Sequence, residues 1–227
     1  MNSRQESSPF LVTNDDDHRQ ALAYAKQSVD YTYNRMEIAK KQSRQNNIYL
    51  GKLIEGPICR ELEDTYRITV NRSSVTTHHT QADKGDVLLS FECSQSHTGD
   101  IKGFRVRGVI GGRQSRANEM ASRAYALVPV DQLDQRPKDI YIFTNVMLQS
   151  GQDRETGIEI TTAPALLTYP RWAPVGEVSK WQEYPKGSRV YPYTQRGTQV
   201  PNKGSKFSGL HALWKLPPYL ETDTTAT

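Results

Sequence analysis

Between Asp86 and Met147 the apolar residues fall into short runs, some alternating and some continuous, which is the patterning of β-strands rather than of helices. Asp86-Val-Leu-Leu-Ser-Phe91 reads as one strand, a polar turn ending in Gly99-Asp-Ile follows, and Gly103-Phe-Arg-Val-Arg-Gly-Val-Ile110 reads as its neighbour. In a two-residue period Arg105 and Arg107 share one face of that second strand, with Phe104 and Val106 on the other. Charges planted there call for a partner, a solvent-filled cleft or a polyanion. Ala124–Val130 and Asp139–Met147 are almost continuously apolar, the signature of strands buried on both faces.

Upstream, the period lengthens. Leu50, Leu53, Ile54, Ile58 and Leu62 recur at three- and four-residue steps and predict a helix over 44–63, with Pro57 marking an interruption or kink. A weaker stripe of Ala21, Tyr24 or Ala25, Ser28 and Val29 predicts a surface helix between about Asp16 and Lys41. Tyr66–Val70 is rich in β-formers, and the polar stretch Asn71–Lys84, with His78 and His79 adjacent, reads as a loop. After Thr161 the chain turns Pro- and Tyr-rich, which predicts loops, short strands and an irregular wrap with Trp172, Trp181 and Trp214 as anchors. The fold class expected from this order is α/β: a mixed sheet of about four to five core strands, centred on 85–147 and flanked by helices. Residues 15–220 form its single domain, while 1–14 and 221–227 are Ser/Thr/Asn-rich tails with too little apolar surface to offset the entropy of ordering.

Charge adds a second layer. The net formal charge is only +4, but 102–123 holds six Lys/Arg against one acid and 180–215 holds seven against one. Such local excesses attract phosphates, and they also occur on ordinary solvated surfaces. In the second segment Lys180, Lys186, Arg189 and Arg196 interleave with Trp181, Tyr184, Tyr191, Tyr193 and Trp214. That mixture suits core closure first, a protein interface second and base stacking third. No run of about 18 apolar residues exists, so no membrane partner is expected, and Met1–Asp17 lacks the pattern of a signal peptide. The expected location is the cytoplasm, or a phage particle assembled there. Cys59 and Cys93, without metal-ligand spacing, read as free thiols in a reducing compartment.

Specific chemistry is sparse. There is no nucleophile elbow, phosphate-binding loop or dinucleotide fingerprint. His78 and His79 point to opposite sides of an extended chain, His97 falls in a turn, and His211 packs or hydrogen-bonds near Trp214. Gly111-Gly112, followed by Arg113 and Arg116, permits a close backbone approach to a phosphate.

A family resemblance arises from four features: Gly51-Lys-Leu-Ile-Glu55 in the apolar helix, Asp86 opening a strand, a second strand directly after it, and the later Tyr125–Pro129 and Asp139–Phe143 strands. Over about 44–180 the chain resembles the PD-(D/E)xK, or restriction-endonuclease-like, superfamily. The resemblance implies that Glu55 and Asp86 are catalytic carboxylates that hold Mg²⁺, which polarises a scissile phosphate and acidifies the attacking water. Where the family places an acid-x-Lys triplet, this strand reads Arg105-Val106-Arg107, and an arginine neither ligates a metal nor acts as a base. Three functions follow. The first is a catalytically degenerate protein that binds DNA or RNA through Lys102, Arg105, Arg107, Arg113 and Arg116. The second is an active Mg²⁺-dependent nuclease in which Glu92 completes a set with Glu55 and Asp86, Lys84 or Lys102 being the cation. The third is an assembly subunit, for example of a phage particle, contacting protein partners through its aromatic and basic C-terminal segment.

Overall fold

The computed structural model describes residues 10–28, 41–72, 87–92, 95–106, 123–190 and 197–222. Both helical stripes fold as helices, α1 (Asp15–Ser28) and α2 (Lys41–Asp64). Asn14 and Asp17 start α1 by exchanging hydrogen bonds, each side chain accepting the other's backbone N–H at 2.9 Å, and three aspartates in the first turn face the positive end of the helix dipole. α2 continues through Pro57 instead of ending there. The reason is burial: Leu53, Ile54, Ile58 and Leu62 are fully buried. Side chains of this kind contribute on the order of 1.5–3 kcal/mol each. Together they outweigh the roughly 3 kcal/mol that an interior proline costs.

The helices lie on a curled mixed sheet. Its path runs β1 (Phe10–Val12), β9 (Leu166–Thr168), β6 (Ile140–Met147), β4 (His97–Arg105), β3 (Val87–Phe91) and β2 (Ile68–Asn71); β10 (Arg171–Pro174) also pairs with β6, and β13 (His211–Ala212) pairs with β10. β2, β3 and β4 form an antiparallel meander, β4 and β6 are parallel, and β9 and β10 run antiparallel to β6, while β7 (Ser150–Gln152) and β8 (Glu159–Thr161) make a separate antiparallel pair. Every residue of β6 is buried, as its continuous apolar run predicts. Val87, Leu89, Ile101, Ile140, Ile142 and Val146 share one core with α2. The other face carries Phe104, Tyr141 and Phe143 into a second core with Ala126, Val128 and Phe207.

Four sequence expectations need correction. Tyr125–Pro129 does form a strand, β5, but it leaves the central sheet and pairs with β12 (Asn202–Lys206), which pairs in turn with β11 (Gln182–Tyr184). β4 begins at His97, not Gly103, because β3 pairs along one side of it and β6 along the other. His97 is therefore a buried strand residue rather than part of a turn. Phe10–Val12, within the stretch read as a tail, is an edge strand whose Phe10 is buried. Of the three tryptophans, Trp172 is buried and donates to the Ala212 carbonyl at 3.1 Å, and Trp181 packs on Phe143, but Trp214 is 56% exposed, with the Lys215 ammonium 5.4 Å from its ring. His211 packs as expected, against Trp172 and 2.8 Å from Glu177.

Cys59 lies in the core against α2's own apolar neighbours, and burial pushes its thiol up to about 12. Thiolate is the reactive form. Iodoacetamide at pH 8 is thus expected to leave the Cys59 peptide unlabelled in the native protein and to label it fully in guanidinium, read by peptide mass spectrometry. Native labelling at a denatured rate would contradict this burial.

Candidate metal and phosphate site

Asp100 and Lys102 stand two residues apart on β4 and share a face. Ile101 and Gly103 point the other way: a Cβ on Gly103 would come within 2.5 Å of Ile54 Cδ1, so that face lies directly against α2. Asp100 and Lys102 therefore belong to the face of Phe104, opposite α2. Along β2 and β3 the described residues leave this face unsealed, since Thr69 and Asn71 are exposed and Leu88 and Ser90 only half-buried. Around Tyr141 and Phe143 it is closed by the second core. Asp100 sits between the open and the closed part.

Burying a carboxylate is unfavourable unless donors surround it. Asp100 is 7% exposed, and among the described residues two donors meet its Oδ2: Lys102 Nζ at 2.6 Å and Gln132 Nε2. Gln132 is itself buried and belongs to α3 (Val130–Gln135), which follows β5 directly and is pinned by a hydrogen bond from Val130 N to the Pro201 carbonyl at 3.0 Å. A further clamp holds the ends of the two parallel strands together. Thr98 donates its N–H and its hydroxyl to Asp139 Oδ2 at 2.7 and 2.8 Å, so the segment entering Asp100 is tied to the segment entering β6.

Among the described residues, those singled out from sequence are scattered. Glu55 is buried, ion-paired to Lys52, whose ammonium lies 5.1 Å from the Tyr24 ring of α1. It thus belongs to the helical layer, on the α2 side of the sheet. Glu92 is an exposed turn residue at φ 51°, in the left-handed region, and closes β3 rather than entering a site. The described residues do not bring Glu55 and Glu92 together. Arg105 is on the α2 face, where it pairs with Glu159 at 2.6 Å and donates to Ser150 Oγ. Its charge has the partner that the sequence called for, and it does not form one patch with Lys102. Asp86, Lys84, Arg107, Arg113, Arg116, His78, His79 and Cys93 lie outside the described residues.

Two residues of the site were missed by sequence reading. Asp100-Ile101-Lys102 is itself an acid-x-Lys triplet, and it escaped notice because Gly99-Asp-Ile read as the end of a turn. Gln132 carries no local signal at all. As for a metal, no group of three or more His, Cys, Asp or Glu side chains gathers among the described residues. The donor chemistry nonetheless fits Mg²⁺, which keeps several waters and needs one or two carboxylates alongside substrate phosphate. Asp100 supplies one hard oxygen donor, held in place by two neighbours. Comparison of the chain with protein-family models, with curated proteins and with solved structures finds no match.

Proposed function

We propose that this protein hydrolyses phosphodiester bonds of DNA or RNA in a divalent-metal-dependent reaction, with Asp100 as a metal ligand and Lys102 as the cation beside it. The reading keeps the restriction-endonuclease-like resemblance and moves its acid-x-Lys triplet from Arg105-Val106-Arg107 to Asp100-Ile101-Lys102. With the triplet at these positions, Arg105 and Arg107 are not substitutions of catalytic residues.

One observation carries the proposal: an acid and a lysine share a face of β4, 2.6 Å apart, at the border of an unsealed sheet surface. The neighbouring strand supports it. Val87 pairs with Gly99, the residue before Asp100, and Asp86 precedes Val87 directly in sequence. In this reading Asp86, the acid that precedes the paired strand in sequence, is taken as the second carboxylate. In this scheme Asp100 orients through its donors, and the Lys102 ammonium balances negative charge that builds on the phosphate as the attacking water adds. A bound Mg²⁺ would supply phosphate polarisation and a more acidic water. Glu55 and Glu92 have no part in it.

Single- and double-stranded DNA and RNA, incubated with the purified protein in Mg²⁺, Mn²⁺ or EDTA across a salt series, test this. Cleavage is expected in either metal and not in EDTA, with Asp100→Asn and Asp86→Ala each reducing it on the order of 10³-fold. Salt-sensitive binding without cleavage would return the degenerate reading, because phosphate contacts release counterions whether or not a bond is cut. A stable oligomer indifferent to nucleic acid would favour the assembly reading.

A further inference from the structure

We infer that Gln132 is a positioning residue for Asp100, fixing the carboxylate in the orientation in which it receives a divalent cation; this rests on the reading of Asp100 as a metal ligand. The two donors on Asp100 Oδ2 differ in kind. Lys102 comes from the same strand, two residues on, and sits on a flexible four-carbon stem whose side chain is 18% exposed. Its ammonium is a point charge that follows the carboxylate wherever it swings. Gln132 comes from a different layer, on a helix anchored through Val130 to Pro201, and it is 3% exposed. Its amide reaches Asp100 Oδ2 from a side chain that burial confines. Of these two donors, the one from α3 is the more rigidly held.

A carboxylate free to rotate pays for its ordering when a cation binds, whereas one held by a rigid neighbour has already lost that freedom. The same contact ties the layer containing β5 and α3 to the central sheet next to the site. A merely structural role for Gln132, satisfying a buried Asp100, predicts a change in stability alone. A positioning role predicts a change in metal affinity and in turnover that exceeds any change in substrate affinity.

The full-length protein and its Gln132→Met and Asp100→Asn variants distinguish these. Methionine keeps an unbranched shape of similar length and removes the donor. Mn²⁺ affinity by calorimetry, without nucleic acid, is expected to weaken about 10–100-fold in Gln132→Met, with kcat falling by a similar factor and KM for DNA unchanged. In the unaltered protein the Gln132 side-chain amide resonances are expected to shift on Mg²⁺ titration, with the midpoint seen in cleavage. That second measurement holds even where Gln132→Met does not fold. Should Asp100→Asn abolish Mn²⁺ binding and cleavage while Gln132→Met keeps both at the original level, Gln132 is only a packing residue and the assignment of Asp100 stands. Should the unaltered protein neither bind Mn²⁺ nor cleave, the reading of Asp100 fails and this inference with it.

Discussion

Arg60→Ala is expected to destabilise the protein by about 3 kcal/mol, the low end of the cost of stranding a buried charge. Asp17 is the charge left behind: its side chain is 4% exposed, and Arg60 grips both its oxygens, at 2.7 and 2.6 Å. The 39% exposure of Arg60 places the effect at the lower end of that range. For a domain of this size the loss corresponds to a fall in Tm of about 6–12 °C. Arg60→Lys should recover part of it, since one ammonium cannot serve two oxygens in a fixed fork. Gly56→Ala reaches the same contact from the other side: its Cβ would lie 1.8 Å from Asp17 Oδ1, so the carboxylate must leave the guanidinium. The two substitutions should therefore fail to add in a double-mutant cycle. Chemical denaturation decides it, and a Gly56→Ala protein within about 0.5 kcal/mol of the original would refute the packing described between α1 and α2.

The ion pair between Asp17 and Arg60 illustrates what the sequence does not display. Each helix announces itself: α2 by a stripe whose burial is complete at Leu53, Ile54, Ile58 and Leu62, and α1 by Ala21 and Ala25, which are fully buried beneath it. That Asp17 meets Arg60, and that Gly56 leaves room for the meeting, depends on how the helices cross. Periodicity specifies which face is buried and is silent about the partner face. The same holds for β5. Its apolar run predicts burial on both sides correctly, yet its sheet partner is Asn202-Lys-Gly-Ser-Lys206, a segment with no strand pattern that owes its conformation to the pairing itself. Local propensity cannot anticipate a strand whose stability is supplied by its neighbour.

β4 shows how the site itself was concealed. A strand flanked by strands on both sides is expected to be apolar, and the polar residues before Gly103, with Gly99 and Asp100 among them, have the local pattern of a turn. The paired segment instead starts at His97, and the polar residues Asp100 and Lys102 are tolerated inside it because they neutralise each other and because Gln132 reaches across from another layer. The acid-x-Lys spacing was legible in the sequence. Its place on a strand was not, since the compensating donor is 32 residues away.

Lys102→Met should lower the cleavage rate on the order of 10²–10³-fold, the scale of losing one preorganised charge-stabilising group, while Arg105→Ala should leave it within about twofold. The contrast follows from the two faces of one strand. Lys102 is on the side of Asp100, next to the unsealed surface over β2 and β3; Arg105 is on the α2 side, committed to Glu159 and Ser150. Removing Arg105 breaks a partly exposed ion pair worth roughly 0–1 kcal/mol. Lys102→Arg should not restore the rate, because a planar guanidinium is wider than an ammonium and cannot take its place between the carboxylate and a phosphate oxygen. Without Lys102 a divalent cation becomes the main charge compensating Asp100, so Mn²⁺ should raise the Tm of Lys102→Met by more than it raises that of the unaltered protein. Cleavage by Lys102→Met at the original rate, or its loss in Arg105→Ala, would place the reacting phosphate on the wrong face of β4 and withdraw Asp100 from the chemistry.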